Sequence, residues 1–156
     1  MSIDSRLQIK SISSADTEHY AQVIGANLCG GEIIELRSDL GGGKTTFTRG
    51  LVVGTGSADD VASPTFTISR VYNAPKFTIH HFDFYRLTEP GIIAHELQEL
   101  INDPSVVIVI EWGDIVADVI ATEHTVITIE QQQGNERELI FEVPEKYQYI
   151  TKGLKQ

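Results

Sequence analysis

Leu7 and Ile9 alternate with polar neighbours across Arg6–Ile12, and that period of two predicts a short strand. Ser13 and Ser14 follow as candidate N-caps, with Asp16 and Glu18 where the positive end of a helix dipole favours acids. Tyr20, Val23, Ile24 and Leu28 recur at helical spacing, and Gly30-Gly31 is expected to stop that helix. Ile33, Ile34 and Leu36 mark a second short strand over Glu32–Arg37, followed by a glycine cluster and a second helix over Lys44–Val53. Thr65–Tyr72 and Lys76–Tyr85 read as strands joined through Asn73-Ala74-Pro75 in a hairpin. Ile92–Ile101 reads as a helix with one edge set by Glu96, Leu97 and Leu100, ended by Asn102-Asp103-Pro104. Val106–Ile110 is β-branched throughout, which suits a strand buried on both faces of a parallel sheet. Thr125–Ile129 and Glu138–Val143 alternate, and Gly134-Asn135 between them predicts a second hairpin. The last dozen residues hold Lys146, Lys152 and Lys155 with little apolar content, so 145–156 is expected to be a loose tail behind one domain over 1–144. A strand, glycine loop and helix early, a buried strand later and hairpins between them make an α/β domain with a mixed sheet.

Composition narrows the choice of function. The 156 residues carry 12 basic and 22 acidic side chains, a net charge of −10. Such a chain is a poor stand-alone binder of nucleic acid or anionic membrane, because phosphate contacts need clustered Lys and Arg. One loop can still hold a small phosphate ligand. Cys29 is the only cysteine, which excludes an internal disulfide and a cysteine-rich structural zinc site and fits a reducing compartment. No targeting segment and no membrane span is read, so the expected location is cytoplasmic.

The chemistry begins at Ser38-Asp39-Leu40-Gly41-Gly42-Gly43-Lys44-Thr45, between the second strand and the second helix. That is the context a phosphate-binding loop requires. Glycines let successive N–H groups converge on one point, and the helix start adds its unpaired N–H groups and dipole. Asp39, Leu40, Gly41, Gly42, Gly43, Lys44, Thr45 and Thr46 are therefore the expected nucleotide-binding stretch. Lys44 would reach the β- and γ-phosphates, and Thr45 would offer its hydroxyl to Mg²⁺. The full pattern opens with glycine; here Ser38 stands in that place, which costs backbone freedom in the turn but keeps the anion cradle. Two acids can serve the metal and the water. Glu111 ends the apolar run Val106–Ile110, and Asp83 sits in His80-His81-Phe82-Asp83-Phe84-Tyr85-Arg86-Leu87. Ligands bind beyond the carboxyl ends of such strands.

Leu40–Phe47 resembles the LGAGKTTF stretch of the TsaE (YjeE) ATPases, Ser63-Pro64-Thr65-Phe66 their SPTF segment, His81–Leu87 their HFDLYRL and Ile110–Trp112 their IEW, in the same order and spacing. The resemblance implies a single P-loop nucleotidase-like domain with a mixed, largely parallel central sheet flanked by helices. It implies an ATP-binding, ATP-hydrolysing subunit needed for threonylcarbamoyladenosine modification of tRNA, acting with TsaB and TsaD. By position it makes Thr45 and Glu111 the Mg²⁺ ligands and Asp83 the residue that positions or activates water, with the roles of the two acids exchangeable. It makes Ser63–Thr65 a loop sensing the γ-phosphate and places Trp112 near the nucleotide and Ser14–Thr17 near adenine. Lys44, Asp83 and Glu111 are thus the expected catalytic residues. Ser38 replaces the family's usual glycine, and Gly42 its usual alanine, a change expected to be harmless.

His80 and His81 are adjacent, so on a strand they face opposite ways and cannot easily share a metal. All five histidines read as structural or surface residues, with His81 best placed to support the metal site. Arg86 reads as an ion-pair partner. A small-molecule kinase is a rival reading, but kinases of this class carry an arginine-rich lid, and after Thr88 the chain has one arginine, Arg137. A GTPase would need an Asn-Lys-x-Asp motif, which is absent. A nucleotide-dependent interaction module with incidental hydrolysis is the third reading.

Overall fold

The computed structural model describes residues 5–39, 41–62, 68–120 and 123–154. Leu40, Thr65 and the rest of Ser63–Thr67 lie outside the described residues, so the expected γ-phosphate loop and one member of the phosphate loop carry no structural account.

The apolar run predicted at the centre of the sheet forms β5 (Val106–Glu111), with all six residues buried. Its side chains alternate between two cores. Val107 and Val109 join one with Ile34, Leu36, Phe47 and Leu51; Val106, Ile108 and Ile110 join the other with Ile33, Phe82 and Leu97. Burying each such Val or Ile is worth roughly 1.5–3 kcal/mol, which fixes the register of a strand that has no polar face.

The first core lies under α1 (Ser14–Asn27) and α2 (Lys44–Gly54), the second under α3 (Gly91–Ile101). β2 (Ile33–Arg37), β4 (Thr78–Asp83) and β6 (Thr125–Gln131) complete a parallel centre with β5. β3 (Ser69–Asn73) adds antiparallel to β4, while β7 (Arg137–Val143) and β1 (Ser5–Ser11) extend the other side antiparallel. The sheet has seven strands in the order β1-β7-β6-β2-β5-β4-β3. The register sets Leu36 beside Glu111 and Asp83 beside Glu111, so β2, β5 and β4 end together at one edge. Both predicted hairpins are present.

α1 is capped as its sequence suggests, with Ser13 Oγ accepting from the Asp16 N–H at 3.0 Å. It packs on α2 backbone to backbone: a Cβ at Gly50 would lie 2.4 Å from the Glu18 carbonyl oxygen. α3 differs from its expected edge. Leu97 is its one buried residue, Glu96 is exposed, and Ile92 is 74% exposed.

The loose tail is a correction. Glu145–Thr151 forms 3₁₀ turns, and Ile150 is fully buried in the first core. Asn27 Nδ2 donates to the carbonyls of Ile150 and Lys152, at 2.9 and 2.8 Å. Tyr149 donates its hydroxyl to Glu32 Oε2 at 2.6 Å, and burial together with that carboxylate keeps the phenol protonated. Low apolar content disguised the segment, although Ile150, with Tyr147 and Leu154 packed against the same core and Tyr149 hydrogen-bonded to Glu32, docks it.

Candidate functional site

The edge where β2, β4 and β5 end carries a cavity of about 310 Å³ lined by the glycine loop and both expected acids. The glycines are needed for its shape. Gly41 and Gly43 hold φ of 73° and 107°, left-handed backbone that other residues adopt only at a cost. Gly43 is the N-cap of α2, and no side chain caps that helix. Among the described residues no side chain accepts from its first N–H groups, which open at the mouth of the cavity.

Lys44 is buried, with 7% of its surface exposed, and its ammonium is held from several sides. Nζ donates to the carbonyl of Ser38 at 3.1 Å, to Ser38 Oγ at 2.9 Å and to the carbonyl of Asp39 at 3.2 Å. It also sits 4.8 Å from the centre of the Trp112 ring, a cation–π distance. Burial lowers the Lys44 pKa, while the carboxylates of Glu111, Asp83 and Asp39 pull it back up. Trp112 is held at φ 58°, ψ 50°, alone among described non-glycine residues in having positive φ. A left-handed tryptophan costs about 1–2 kcal/mol, and here the strain turns the indole toward Lys44.

The two acids sit in different surroundings. Glu111 is 3% exposed, and its Oε2 lies 2.5 Å from Nε2 of the fully buried His81. Asp83 is half-buried, and its Oδ1 accepts from the Tyr85 N–H at 3.0 Å. Burial raises the Asp83 pKa and Glu111 adds to the rise, against smaller lowering by the Tyr85 N–H, His81 and Lys44.

The structure thus gathers Gly41, Gly42, Gly43, Lys44, Thr45, Thr46, Asp83, Glu111 and Trp112 around one space. Asp39 lines an adjoining cavity with Ser38, Arg37 and Thr128. None of Ser14–Thr17 lines the cavity of the glycine loop and the two acids, and Asp16 and Thr17 are engaged locally with Ile12 and Ser11.

Several contributions escaped sequence reading. Tyr85 joins the cavity with its ring 5.0 Å from that of Trp112. Arg137 fastens the β6–β7 hairpin to the loop by donating from Nε to the Gly42 carbonyl at 3.1 Å. In sequence Ser38 reads only as a cost in backbone freedom; in the structure its hydroxyl oxygen accepts from Lys44. A Cβ on Gly42 would lie 2.6 Å from that same oxygen, a collision that spacing alone could not reveal. On β2 itself, Glu35 is tied to His124 at 3.0 Å and Arg37 at 2.5 Å. Burial alone would raise the Glu35 pKa, but these two partners lower it to about 2.

Among the described residues no group of three or more His, Cys, Asp or Glu could enclose a metal ion. The oxygen donors at hand, the Thr45 hydroxyl and the Glu111 carboxylate, instead suit Mg²⁺, which takes few protein ligands and completes its shell with phosphate and water. No helix among the described residues is long and apolar enough to cross a membrane.

A family model described as "Threonylcarbamoyl adenosine biosynthesis protein TsaE" matches residues 11–139. The "tRNA threonylcarbamoyladenosine biosynthesis protein TsaE" of Bacillus subtilis (strain 168) is 31% identical over 150 residues, covering 96% of this chain and 94% of that protein. Its counterpart of the same name in Treponema pallidum (strain Nichols) is 34% identical over 83% of this chain and 95% of its own. Among solved structures, the "Crystal structure of Bacillus subtilus YdiB" superposes with a TM-score of 0.74 at 27% identity, covering 94% of this chain and 91% of the other.

Proposed function

The chain belongs to the TsaE family of threonylcarbamoyl adenosine biosynthesis proteins, and from that premise we propose that it binds ATP with Mg²⁺ and hydrolyses it to ADP and phosphate. The observation that carries this reading is the convergence, in one cavity, of an uncapped helix start, Lys44, Thr45 and two acids from separate parallel strands. Thr45 and Glu111 would hold Mg²⁺, which when bound neutralises charge on the β- and γ-phosphates. Lys44, already held beside the loop carbonyls, binds the same phosphates. Water attacks the γ-phosphorus; a new P–O bond forms as the bond to the β,γ-bridging oxygen breaks and ADP leaves. Asp83 orients that water through Oδ2 and takes its proton. The upward shift of its pKa makes it a better proton acceptor than an exposed aspartate. Glu111, buried and tied to His81, suits the fixed role of metal ligand. These different surroundings support one assignment of the two acids over its exchange.

Turnover in this reading serves partners. The chain acts in the cytoplasm on the TsaB–TsaD complex and contributes to tRNA modification without touching tRNA. Phosphate release measured with Mg²⁺, with and without TsaB and TsaD, tests this. The expected result is slow hydrolysis alone and faster hydrolysis with the pair. Asp83→Asn and Glu111→Gln should each retain ATP yet turn over at least about 100-fold more slowly. Normal turnover in both variants would reduce these acids to structural roles.

A further inference from the structure

We infer that His81 is a positioning residue for Glu111, fixing which carboxylate oxygen faces the nucleotide's metal; this rests on the ATPase reading above. His81 lies two residues before Asp83 on β4 and is fully buried, out of reach of solvent. Its Nε2 meets Glu111 Oε2 at 2.5 Å, while its Nδ1 is buried and has no hydrogen-bond partner among the described residues. A proton on Nδ1 would be an unsatisfied buried donor, so the ring carries its proton on Nε2 and donates it to the carboxylate. One oxygen is bound, and Oε1 is left for the cavity that Glu111 lines.

The register explains why the contact forms. Asp83 pairs with Glu111 and His81 with Val109 on the neighbouring parallel strand, so the ring lies one pleat back from the acids. His80 points to the other face and takes no part, as adjacent strand residues must. A carboxylate free to rotate could present both oxygens or swing away from the metal, and a buried donor on one oxygen removes that freedom. Losing such a supporting contact typically costs about 10–100-fold in metal affinity.

Two amide substitutions separate this role from packing. Glutamine places its N–H₂ near the former Nε2, whereas asparagine is too short to reach Glu111; both are polar and similar in bulk. ATP affinity is titrated by Trp112 fluorescence in EDTA, then the Mg²⁺ concentration for half-maximal change is measured at saturating ATP. His81→Asn should raise the Mg²⁺ half-saturation by about tenfold or more, with EDTA affinity within about threefold of wild type. His81→Gln should stay within about threefold in both measurements. In a Glu111→Gln background the difference between the two amides should vanish. Equal Mg²⁺ half-saturation for His81→Asn and His81→Gln would overturn the inference, as would a difference that persists without the Glu111 carboxylate. Should wild type bind no ATP at all, the ATPase reading itself falls; binding with no Asn–Gln difference sinks the His81 role alone.

Discussion

Gly42→Ala should weaken ATP binding, and the loss should depend on Ser38. An alanine Cβ there would meet Ser38 Oγ at 2.6 Å, Ser38 Cβ at 2.8 Å and the Asp39 carbonyl oxygen at 2.9 Å, all closer than real Cβ contacts. The serine side chain is the part that can move, and moving it withdraws one of the acceptors of Lys44. A hydrogen bond to a charged group is worth about 1.5–3 kcal/mol, but the carbonyls of Ser38 and Asp39 remain, so the net loss should be about 1 kcal/mol. Adjusting the loop adds up to about 1 kcal/mol, for a total of about 1–2 kcal/mol, or about 5–30-fold in Kd. Ser38→Gly removes the two nearest of these contacts, and the Asp39 carbonyl oxygen at 2.9 Å must still shift. The double variant should therefore return to within about threefold of Ser38→Gly alone, a coupling of about 1 kcal/mol between neighbours. The assay is an ATP titration followed by Trp112 fluorescence on all four proteins. A loss under about twofold for Gly42→Ala, or an equal loss in both Ser38 backgrounds, would refute the reasoning. The sequence reading that a glycine there is interchangeable with alanine holds, on this account, only where residue 38 has no side chain.

Ile150→Ala should lower unfolding stability by about 2–4 kcal/mol in urea titration, since the side chain is fully buried; no change would restore the loose tail. Glu35, held at about 2 against an ordinary 4.5, contributes stability that is complete above pH 4.5 and lost as pH falls toward 2. With Arg37 largely solvent-exposed, screening leaves about 1–2 kcal/mol of the full effect, so Glu35→Gln should flatten the acid limb of a stability–pH curve by that amount. The isolated chain should show no measurable tRNA binding at physiological salt, given its charge of −10; salt-sensitive sub-micromolar binding in a gel-shift titration would contradict this.

Much of the fold was legible because local signals agreed with one another. Val106–Ile110 announced a doubly buried strand, and the glycine loop fell between a strand and a helix, where its chemistry requires. What stayed hidden depends on contacts between distant positions or on single anchors. His81 was legible as the histidine best placed to support the metal site, but its partner was not: His81 and Glu111 are 30 residues apart and meet only through parallel register. Ile150 and Tyr149 dock a stretch whose average composition looks unstructured. Lys44 reads as a loop cation in sequence, yet it is buried beneath the ring of Trp112, because that residue's left-handed backbone turns the indole inward.

The central claim is that ATP is held through Lys44 in the cavity bounded by Trp112. It is tested most directly by calorimetric titration of ATP with Mg²⁺ into wild type and Lys44→Ala, each first shown by thermal denaturation to be cooperatively folded. The account predicts saturable one-to-one binding for wild type and a loss of at least about 100-fold for the variant, about 2.7 kcal/mol. Unchanged affinity in a folded Lys44→Ala protein would contradict it.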